Sequence, residues 1–553
     1  MNKFIKKNLF VSTFLLIILV AIFLRFYQLD ANPPSVTWDE ASMGYNAYSI
    51  FKTGADEYGN KFPISIRSFD DYKPPLYTYL TVPFVAILGL SEFSVRLPSA
   101  IIGAFSIVAI YFLVKEWLQK WDKKYQELIA LASAFFLAIS PWHLQFSRAA
   151  FEGNVGLFFL LLGILLFFKG LRNGKLIVLS SVSFALSIYS YHSFRLLTPL
   201  FLLLLGTFFW QEIFKKKLFF VIFIFALVAF TLPVYSNFFT AQDSASRLSM
   251  VTIFSDPTIA ENSIKRIEFD KNNNDGLGAL LHNRRIVYGL AIVKGYLDHF
   301  NPDFLSLHGD GGVQHHAVDM GMLYLWDLPF IIAGLYILFS RRNRYIAMLF
   351  ALFLLAPIPS SITTGTPHPV RAIALMPAFH IFAAVGFVFI SLKILRARKF
   401  IFKTLNLSFI GSALLINFIY YMHQYYVHTP IEYGYFWQYG YKEAVSFAKE
   451  NETKFDKIIM TYRYDQPYIY YLFYNKIEPS WYQKNWDYNQ TGETDRFKRV
   501  IGKYTFKNID YVKDSILAKT LLIGTPEEIP ESAKIIKTIK FPDGRIAFKI
   551  AET

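Results

Sequence analysis

Apolar runs of membrane-spanning length recur along most of this chain. A helix of about 20 apolar residues crosses the hydrocarbon core of a bilayer, and soluble domains do not repeat such runs many times. We therefore predict an α-helical polytopic membrane protein. The candidate runs are 9–27, 75–90, 96–117, 128–142, 155–171, 176–191, 196–210, 218–235, 323–339, 346–359, 372–395 and 404–425.

Charge decides which of these runs cross the membrane. The net charge is +15, but Lys and Arg occur in short clusters between apolar runs, as the positive-inside rule requires, so nucleic acid is not indicated as a partner. The run at 75–90 begins with Pro-Pro and contains Pro83, and we interpret it as an interfacial helix on the outer face. About eleven spans then remain, and every basic cluster falls in the cytoplasm. The clusters lie at 3–7, 115–124, 172–175, 215–217, 341–344 and 393–403.

This topology describes a multi-pass protein of the cell membrane with a cytoplasmic N-terminus. We predict that the first apolar run is an uncleaved signal anchor, because residues 25–30 offer no small-residue cleavage site. The expected transmembrane domain is 1–428, with a first outer loop at 28–95 and a long outer loop at 237–322. Cysteine is absent, which excludes disulfides and thiolate metal sites.

Residues 429–553 are more polar and contain no run of spanning length. Residues 441–451 have the pattern of a helix, and 457–461, 521–523 and 535–539 have the pattern of short strands. An Asp-Gly turn at 543–544 precedes 546–550 and predicts a β-hairpin. We expect a small extracytoplasmic α/β domain here.

The acidic loop at 37–75 is the first candidate site, because ionisable groups near a membrane are costly unless they have a function. Asp39 suits a general base that removes the proton of an acceptor hydroxyl. Its alternative role is that of an acidic residue in the first turn of a helix from Trp38 to Phe51. We expect the other acids of the loop to shape it or to face the acceptor. They are Asp56, Glu57, Asp70 and Asp71.

Cations on the outer side point to an anionic ligand. Lys73 stands beside a rigid Pro-Pro turn, where it is placed either to bind a lipid-linked phosphate or to snorkel at the interface. Three outer turns each carry an arginine, against the bias of positive charge for the cytoplasm: Arg148, Arg195 and Arg371. Arg148 and Glu152 are four residues apart, so a structural ion pair on one helix face is equally consistent with the spacing.

The long outer loop contains His308, Asp310, His315, His316 and Asp319. These residue types ligate metals, but their spacing matches no defined metal signature. We favour a hydrogen-bonded loop, and we predict no cofactor and no metal site.

Three short motifs resemble the GT-C membrane glycosyltransferases. They are Asp39-Glu40, Tyr72-Lys73-Pro74-Pro75 and Arg96-Leu97-Pro98-Ser99-Ala100. The sequence is similar to the family of dolichyl-phosphate-mannose protein mannosyltransferases, which also includes the bacterial lipid A aminoarabinose transferases. The resemblance is best over the first two hundred residues.

The resemblance implies an inverting glycosyltransferase that moves a sugar from a polyprenyl-phosphate donor to an acceptor outside the membrane. The acceptor is a protein, a lipid or a cell-envelope glycan. Asp39 would be the catalytic base with Glu40 beside it, and Lys73 would lie near the donor phosphate with the three arginines. Tyr72 replaces the glutamate of the aminoarabinose transferases, and Glu152 stands where an aspartate is common. Further candidate substrate-binding residues are Tyr72, Glu152, His192, His308, Asp310 and His368.

Two other functions remain open from the sequence. A transporter or flippase of lipid-linked sugars would carry polar residues at mid-membrane and internal repeats, whereas the charges here collect in the outer loops. A non-catalytic protein of envelope glycan assembly would depend on the tail for glycan binding.

Overall fold

The structure is a computed structural model that describes residues 3–69, 71–240, 251–485 and 499–553. Asp70, which we expected to shape the first loop or to face the acceptor, lies outside these residues, as does 241–250 of the expected long outer loop. The described chain divides into two compact units. The helical unit comprises 1–25, 101–147 and 151–421, and the mixed α/β unit comprises 26–100, 148–150 and 422–553.

Helices form most of the first 240 residues, because apolar runs there have the length and composition of spans. The helices of this part are α1 (Lys3–Phe26), α2 (Trp38–Thr53), α3 (Leu76–Leu88), α4 (Glu92–Trp117), α5 (Lys123–Ile139), α6 (Pro141–Arg148), α7 (Glu152–Gly170), α8 (Gly174–Ser190), α9 (His192–Phe208), α10 (Trp210–Phe214) and α11 (Lys217–Thr240).

The second half continues with helices up to the start of the tail. They are α12 (Pro257–Asn272), α13 (Gly278–Leu281), α14 (Arg284–Asp298), α15 (Asp327–Ser340), α16 (Arg344–Leu355), α17 (Ile358–Ser361), α18 (Leu375–Leu395), α19 (Phe400–His423) and α20 (Thr429–Glu432). The tail adds α21 (Tyr441–Glu450), α22 (Pro467–Tyr474), α23 (Pro479–Asn485) and α24 (Tyr511–Asp514).

Among the described residues, seven helices are long and apolar enough to cross a membrane. The pair α5 and α6, bent by 56° at Ser140 and Pro141, forms an eighth candidate. Three further apolar helices, α8, α9 and α15, have 14 to 17 residues and coincide with predicted spans. These helices correspond to the eleven expected runs. The run that we excluded is α3, a separate 13-residue helix with Pro83 inside it.

A six-stranded sheet organises the tail. Its strands are β3 (Lys457–Met460), β4 (Arg499–Ile501), β5 (Tyr504–Phe506), β6 (Thr520–Gly524), β7 (Ile535–Lys540) and β8 (Ile546–Glu552), in the order β4-β5-β3-β6-β8-β7. β3 is parallel to both β5 and β6, and the remaining pairs are antiparallel. Ile459, Leu522 and Ala551 lie in its buried core.

The predicted elements of the tail are confirmed, including the hairpin between β7 and β8, where Gly544 adopts a positive φ of 89°. Strands β4 and β5 were not predicted. Each has three residues and they flank Gly502, so neither shows a hydrophobic pattern long enough to recognise.

The first loop folds against the tail within the mixed α/β unit. A Cβ atom on Gly44 of α2 would lie 2.5 Å from a Val95 methyl carbon and 2.7 Å from the Phe473 ring, so only glycine fits there. Tyr45 Oη donates a hydrogen bond to the carbonyl of Ile477 at 3.0 Å. Gln483 donates to Ser49 and Thr53 on the same helix at 3.0 and 2.9 Å. The tail is therefore a structural support for α2.

Candidate functional site

The N-terminus of α2 presents two adjacent carboxylates in different environments. Thr37 caps the helix: its hydroxyl accepts a hydrogen bond from the Glu40 N–H, and Glu40 Oε2 accepts one from the Thr37 N–H at 3.0 Å. This capping box fixes the first turn. Asp39 and Glu40 both lie in this first turn, as the helix-start alternative for Asp39 expects.

Glu40 is buried, and both of its carboxylate oxygens accept hydrogen bonds from other parts of the fold. Arg96 donates from Nε to Oε1 at 2.9 Å and from Nη2 to Oε2 at 3.2 Å. The Ala150 N–H donates to Oε1 at 3.0 Å. These four donors occupy both carboxylate oxygens, so the contacts of Glu40 favour a positioning role over a catalytic one.

Arg96 extends this cluster to the segment before α2. Its Nη1 donates to the carbonyls of Leu29 and Pro33 at 3.2 and 2.8 Å, and its Nη2 donates to the carbonyl of Ser35. The Arg96 side chain is completely buried. Arg96 belongs to a motif of the family resemblance, but the sequence alone predicts no role for it. The signal that could have revealed its role is a charged residue near the start of an apolar helix.

Asp39, unlike Glu40, is not buried. Its side chain is 50% exposed and forms an ion pair with Lys73, which is 9% exposed. Lys73 is the last residue of β2 (Asp71–Lys73), which pairs with β1 (Ile66–Ser68) in a short antiparallel hairpin. The structure therefore brings together the predicted base and the predicted phosphate-binding lysine.

The Phe69 ring adjoins Lys73. Lys73 Nζ lies 5.7 Å from the centre of the Phe69 ring. Tyr72 is partly buried, and its N–H donates to the Asp71 carboxylate at 2.8 Å. A partly exposed ring beside an ammonium group is suited to bind a sugar.

Asp56 shapes the loop after α2. It is buried, and its carboxylate accepts hydrogen bonds from the N–H groups of Tyr58 and Asn60 at 3.0 and 2.9 Å. Burial raises the pKa of Asp56, and these hydrogen bonds oppose the rise. The contacts support the loop-shaping role expected for Asp56.

Arg148 also belongs to the mixed α/β unit, where it is buried. Its Nη2 donates to the carbonyls of Tyr27, Gln28 and Asn32 at 2.7, 3.2 and 2.9 Å, and its Nε donates to Tyr425 Oη at 3.1 Å. These contacts favour a structural role over phosphate binding. Arg148 and Glu152 do not share a helix face, because α6 ends at Arg148 and α7 begins at Glu152.

Two other predicted arginines lie in the helical unit. Arg195 is in the first turn of α9, one turn after His192, and its carbonyl accepts a hydrogen bond from Tyr235 at 2.8 Å. Arg371 donates from Nη1 to Thr363 Oγ1 at 2.7 Å and to the Thr364 carbonyl at 2.8 Å. Both side chains are partly exposed.

The predicted histidine and aspartate residues of the helical unit form a hydrogen-bonded loop. Asp310 pairs with His315 at 2.8 Å, and both side chains are more than nine-tenths buried. The His315 and His368 rings lie 5.1 Å apart. Exposed His308 pairs instead with Asp303 at 2.5 Å.

Burial holds the pKa of His368 well below its ordinary value, and the nearby His315, Arg371 and His299 act in the same direction. Within the residues that the structure describes, no three His, Asp or Glu side chains are placed to hold a metal ion together.

Comparison with known proteins agrees with this architecture. Residues 72–235 match the model of the dolichyl-phosphate-mannose-protein mannosyltransferase family. The structure of ArnT from Cupriavidus metallidurans bound to undecaprenyl phosphate superposes over 99% of this chain and 98% of ArnT, with a TM-score of 0.52 and 12% identity. The chain has the GT-C fold. The family resemblance is confirmed for residues 72–235, which include the motifs at Lys73 and Arg96.

Two further similarities extend the GT-C comparison. An Archaeoglobus fulgidus oligosaccharyltransferase tethered to an acceptor peptide matches 99% of this chain and 74% of its own, with a TM-score of 0.52 and 14% identity. YkcB of Bacillus subtilis (strain 168), a provisionally named mannosyltransferase, is 29% identical over 186 residues, which are 33% of this chain and 24% of YkcB. The alignment therefore spans about a quarter of that relative.

Proposed function

We propose that this protein is an inverting glycosyltransferase that moves a sugar from a polyprenyl-phosphate donor to the hydroxyl group of an acceptor. The acceptor is a protein, a lipid or a cell-envelope glycan. The observation that carries the proposal is the ion pair of Asp39 with Lys73, next to a buried and saturated Glu40. Only one carboxylate of the Asp39-Glu40 motif is exposed and able to accept a proton from a substrate.

Asp39 acts as the general base. It removes the proton from the acceptor hydroxyl as the oxygen attacks the anomeric carbon of the donor sugar. The bond from that carbon to the phosphate oxygen breaks, and polyprenyl phosphate leaves as an anion. Because the leaving group is already a stable anion, no general acid is required. Attack from the face opposite the phosphate inverts the anomeric centre.

Lys73 stabilises the phosphate as negative charge develops on it. An ammonium group has three N–H donors, so Lys73 can contact Asp39 and a phosphate oxygen at the same time. Arg195 and Arg371 remain candidates for contacts with the donor phosphate. Tyr72, His192, His308, Asp310, Glu152 and His368 remain candidates for contacts with the sugar or the acceptor. The undecaprenyl phosphate bound by ArnT supports this class of donor.

We further propose that the N-terminus is cytoplasmic and that the loop at 37–75 and the tail are extracytoplasmic. This orientation places every basic cluster inside and puts the Asp39 and Lys73 pair on the side where sugars are added to envelope components.

The test uses the full chain reconstituted in vesicles with undecaprenyl-phosphate-linked radiolabelled mannose and a delipidated envelope extract. We expect label to move into the extract and undecaprenyl phosphate to be released, with both products lost in Asp39→Asn. If the labelled lipid only changes leaflet, unaltered, the protein is a flippase and the proposal is wrong. If labelled glycan binds the tail without transfer, the non-catalytic alternative is correct. Activity with other lipid-linked sugars would identify the donor.

A further inference from the structure

Helix α14 carries an apolar stripe that no other described part of the helical unit covers. Ile286, Leu290, Val293 and Leu297 are 37%, 63%, 54% and 59% exposed. Their spacing of four, three and four residues places them on one face of the helix. The opposite face, at Tyr288 and Gly295, is buried. In water such a stripe would be an association surface.

The buried face of α14 packs against the end of a membrane span. Tyr296 Oη donates to the carbonyl of Leu354 at 2.9 Å, and Leu354 belongs to the candidate span Arg344–Ser361. A Cβ atom on Gly295 would lie 3.1 Å from the Ser361 carbonyl oxygen, at the last residue of that span. Helix α14 is therefore at the level where a span leaves the hydrocarbon core.

Its charges suit the surface of a phospholipid bilayer. Three cations and one carboxylate occur in the helix, and the exposed stripe itself contains no charge. Arg284 and Arg285 are exposed at its start, and Lys294 flanks the stripe in an ion pair with Asp298 at 2.8 Å. A helix with an apolar face and flanking cations lies in the interface with its apolar side towards the acyl chains. The apolar face of the span helix α11 is exposed in the same way, at Leu218, Val221 and Phe225.

We propose that α14 is an interfacial helix whose stripe inserts into the bilayer at the level where the span Arg344–Ser361 ends. The same helix supports the loop of Arg371 and His368. Thr366 donates to Asp298 at 3.0 Å, and the N–H of His368 donates to His299 Nε2 at 3.1 Å. Insertion of α14 thus fixes the depth of this loop relative to the bilayer surface.

The absence of cysteine makes the test direct, because each introduced thiol carries the only spin label. Leu290→Cys, Val293→Cys and Leu297→Cys are labelled in the full chain and reconstituted in phosphatidylcholine–phosphatidylglycerol vesicles. Collisions with O2, which concentrates in the bilayer, are compared with collisions with a water-soluble nickel chelate. Val512→Cys is the matched control, since Val512 is an apolar residue of a tail helix that is 77% exposed.

We expect all three α14 labels to favour O2 and the label at position 512 to favour the nickel chelate. Labels placed at each residue from 286 to 297 should show this preference with the helical period of 3.6 residues. Nickel accessibility at 290, 293 and 297 equal to that at 512 would overturn the proposal. So would dipolar broadening that disappears on dilution with unlabelled protein, because the stripe would then face a second copy of the chain.

Discussion

Arg96 Nε lies 2.9 Å from Glu40 Oε1, and both side chains are buried within the mixed α/β unit. This pair joins the start of α2 to the start of α4 and, through three carbonyls bonded to Arg96, to the segment before α2. It fixes the orientation of the first turn of α2. Successive residues of a helix point about 100° apart. When Glu40 points into the buried cluster, Asp39 therefore points towards the surface.

The buried pair predicts that Glu40→Gln destabilises the protein. Removal of one partner leaves the Arg96 charge buried and uncompensated, which costs about 3–5 kcal/mol. Equilibrium unfolding measures the loss. Glu92→Gln is the control, because Glu92 pairs with Lys442, whose side chain is 64% exposed, and such a pair contributes about 0–1 kcal/mol. Equal effects of the two substitutions would contradict the prediction.

The exposure of Asp39 predicts the opposite behaviour for Asp39→Asn. The substitution removes the base and keeps the shape of the side chain, so we expect transfer to fall by roughly 10²–10⁴-fold. The unfolding free energy should change little. Donor binding should survive, because Lys73 remains. Asp71→Asn, a substitution in the same loop, should keep most of the activity. Transfer by Asp39→Asn at the wild-type rate would remove Asp39 from the reaction.

Lys73→Met is expected to weaken the binding of undecaprenyl phosphate about tenfold or more, because a hydrogen bond to a charged group contributes about 1.5–3 kcal/mol. Binding to the full chain in nanodiscs is measured at two salt concentrations. Lys61→Met serves as control, since Lys61 is an exposed lysine of the same loop. If both variants bind as the wild type does, Lys73 is not a phosphate ligand.

Gly44→Ala tests the support of α2 by the tail. The new methyl group would overlap Val95 and Phe473, and overpacking of this kind costs about 1–3 kcal/mol. We expect a lower melting temperature and faster proteolysis of the tail. The double variant Gly44→Ala and Val95→Ala should recover part of the loss by making room. If stability is not recovered, overlap with Val95 is not the cause of the loss.

The lowered pKa of His368 predicts that stability depends on pH. In the unfolded chain this histidine has an ordinary pKa of about 6.5, so the unfolded state binds the proton first. His368 therefore makes its full contribution to the free energy of unfolding above that pH, and the contribution decreases as the pH falls below it. Thermal unfolding between pH 8 and pH 5 should show a smaller loss in His368→Asn than in the wild type. The exposed His308→Asn is the control, and an equal reduction there would contradict the assignment.

Local patterns predicted a large part of the fold because their causes are local. Hydropathy located the apolar helices, prolines separated α3 from the spans, and an Asp-Gly turn located the hairpin between β7 and β8. Strands β4 and β5 were missed because a strand of three residues is too short to show an alternating hydrophobic pattern. The division of the chain into units was not accessible either, since residues 26–100 and 422–553 meet through contacts more than 400 residues apart, such as that of Tyr45 with Ile477.

The sequence by itself determined the series of apolar helices, the acidic first turn of α2, and the presence of carboxylates and cations in the loops. The tertiary structure decided which of them are exposed. Asp39 pairs with Lys73 and remains half exposed, Glu40 is saturated by Arg96, and Arg148 binds backbone carbonyls. The physical reason is that the environment of an ionisable side chain depends on donors and acceptors that reach it from distant segments, and adjacent carboxylates in one motif can thereby differ in function.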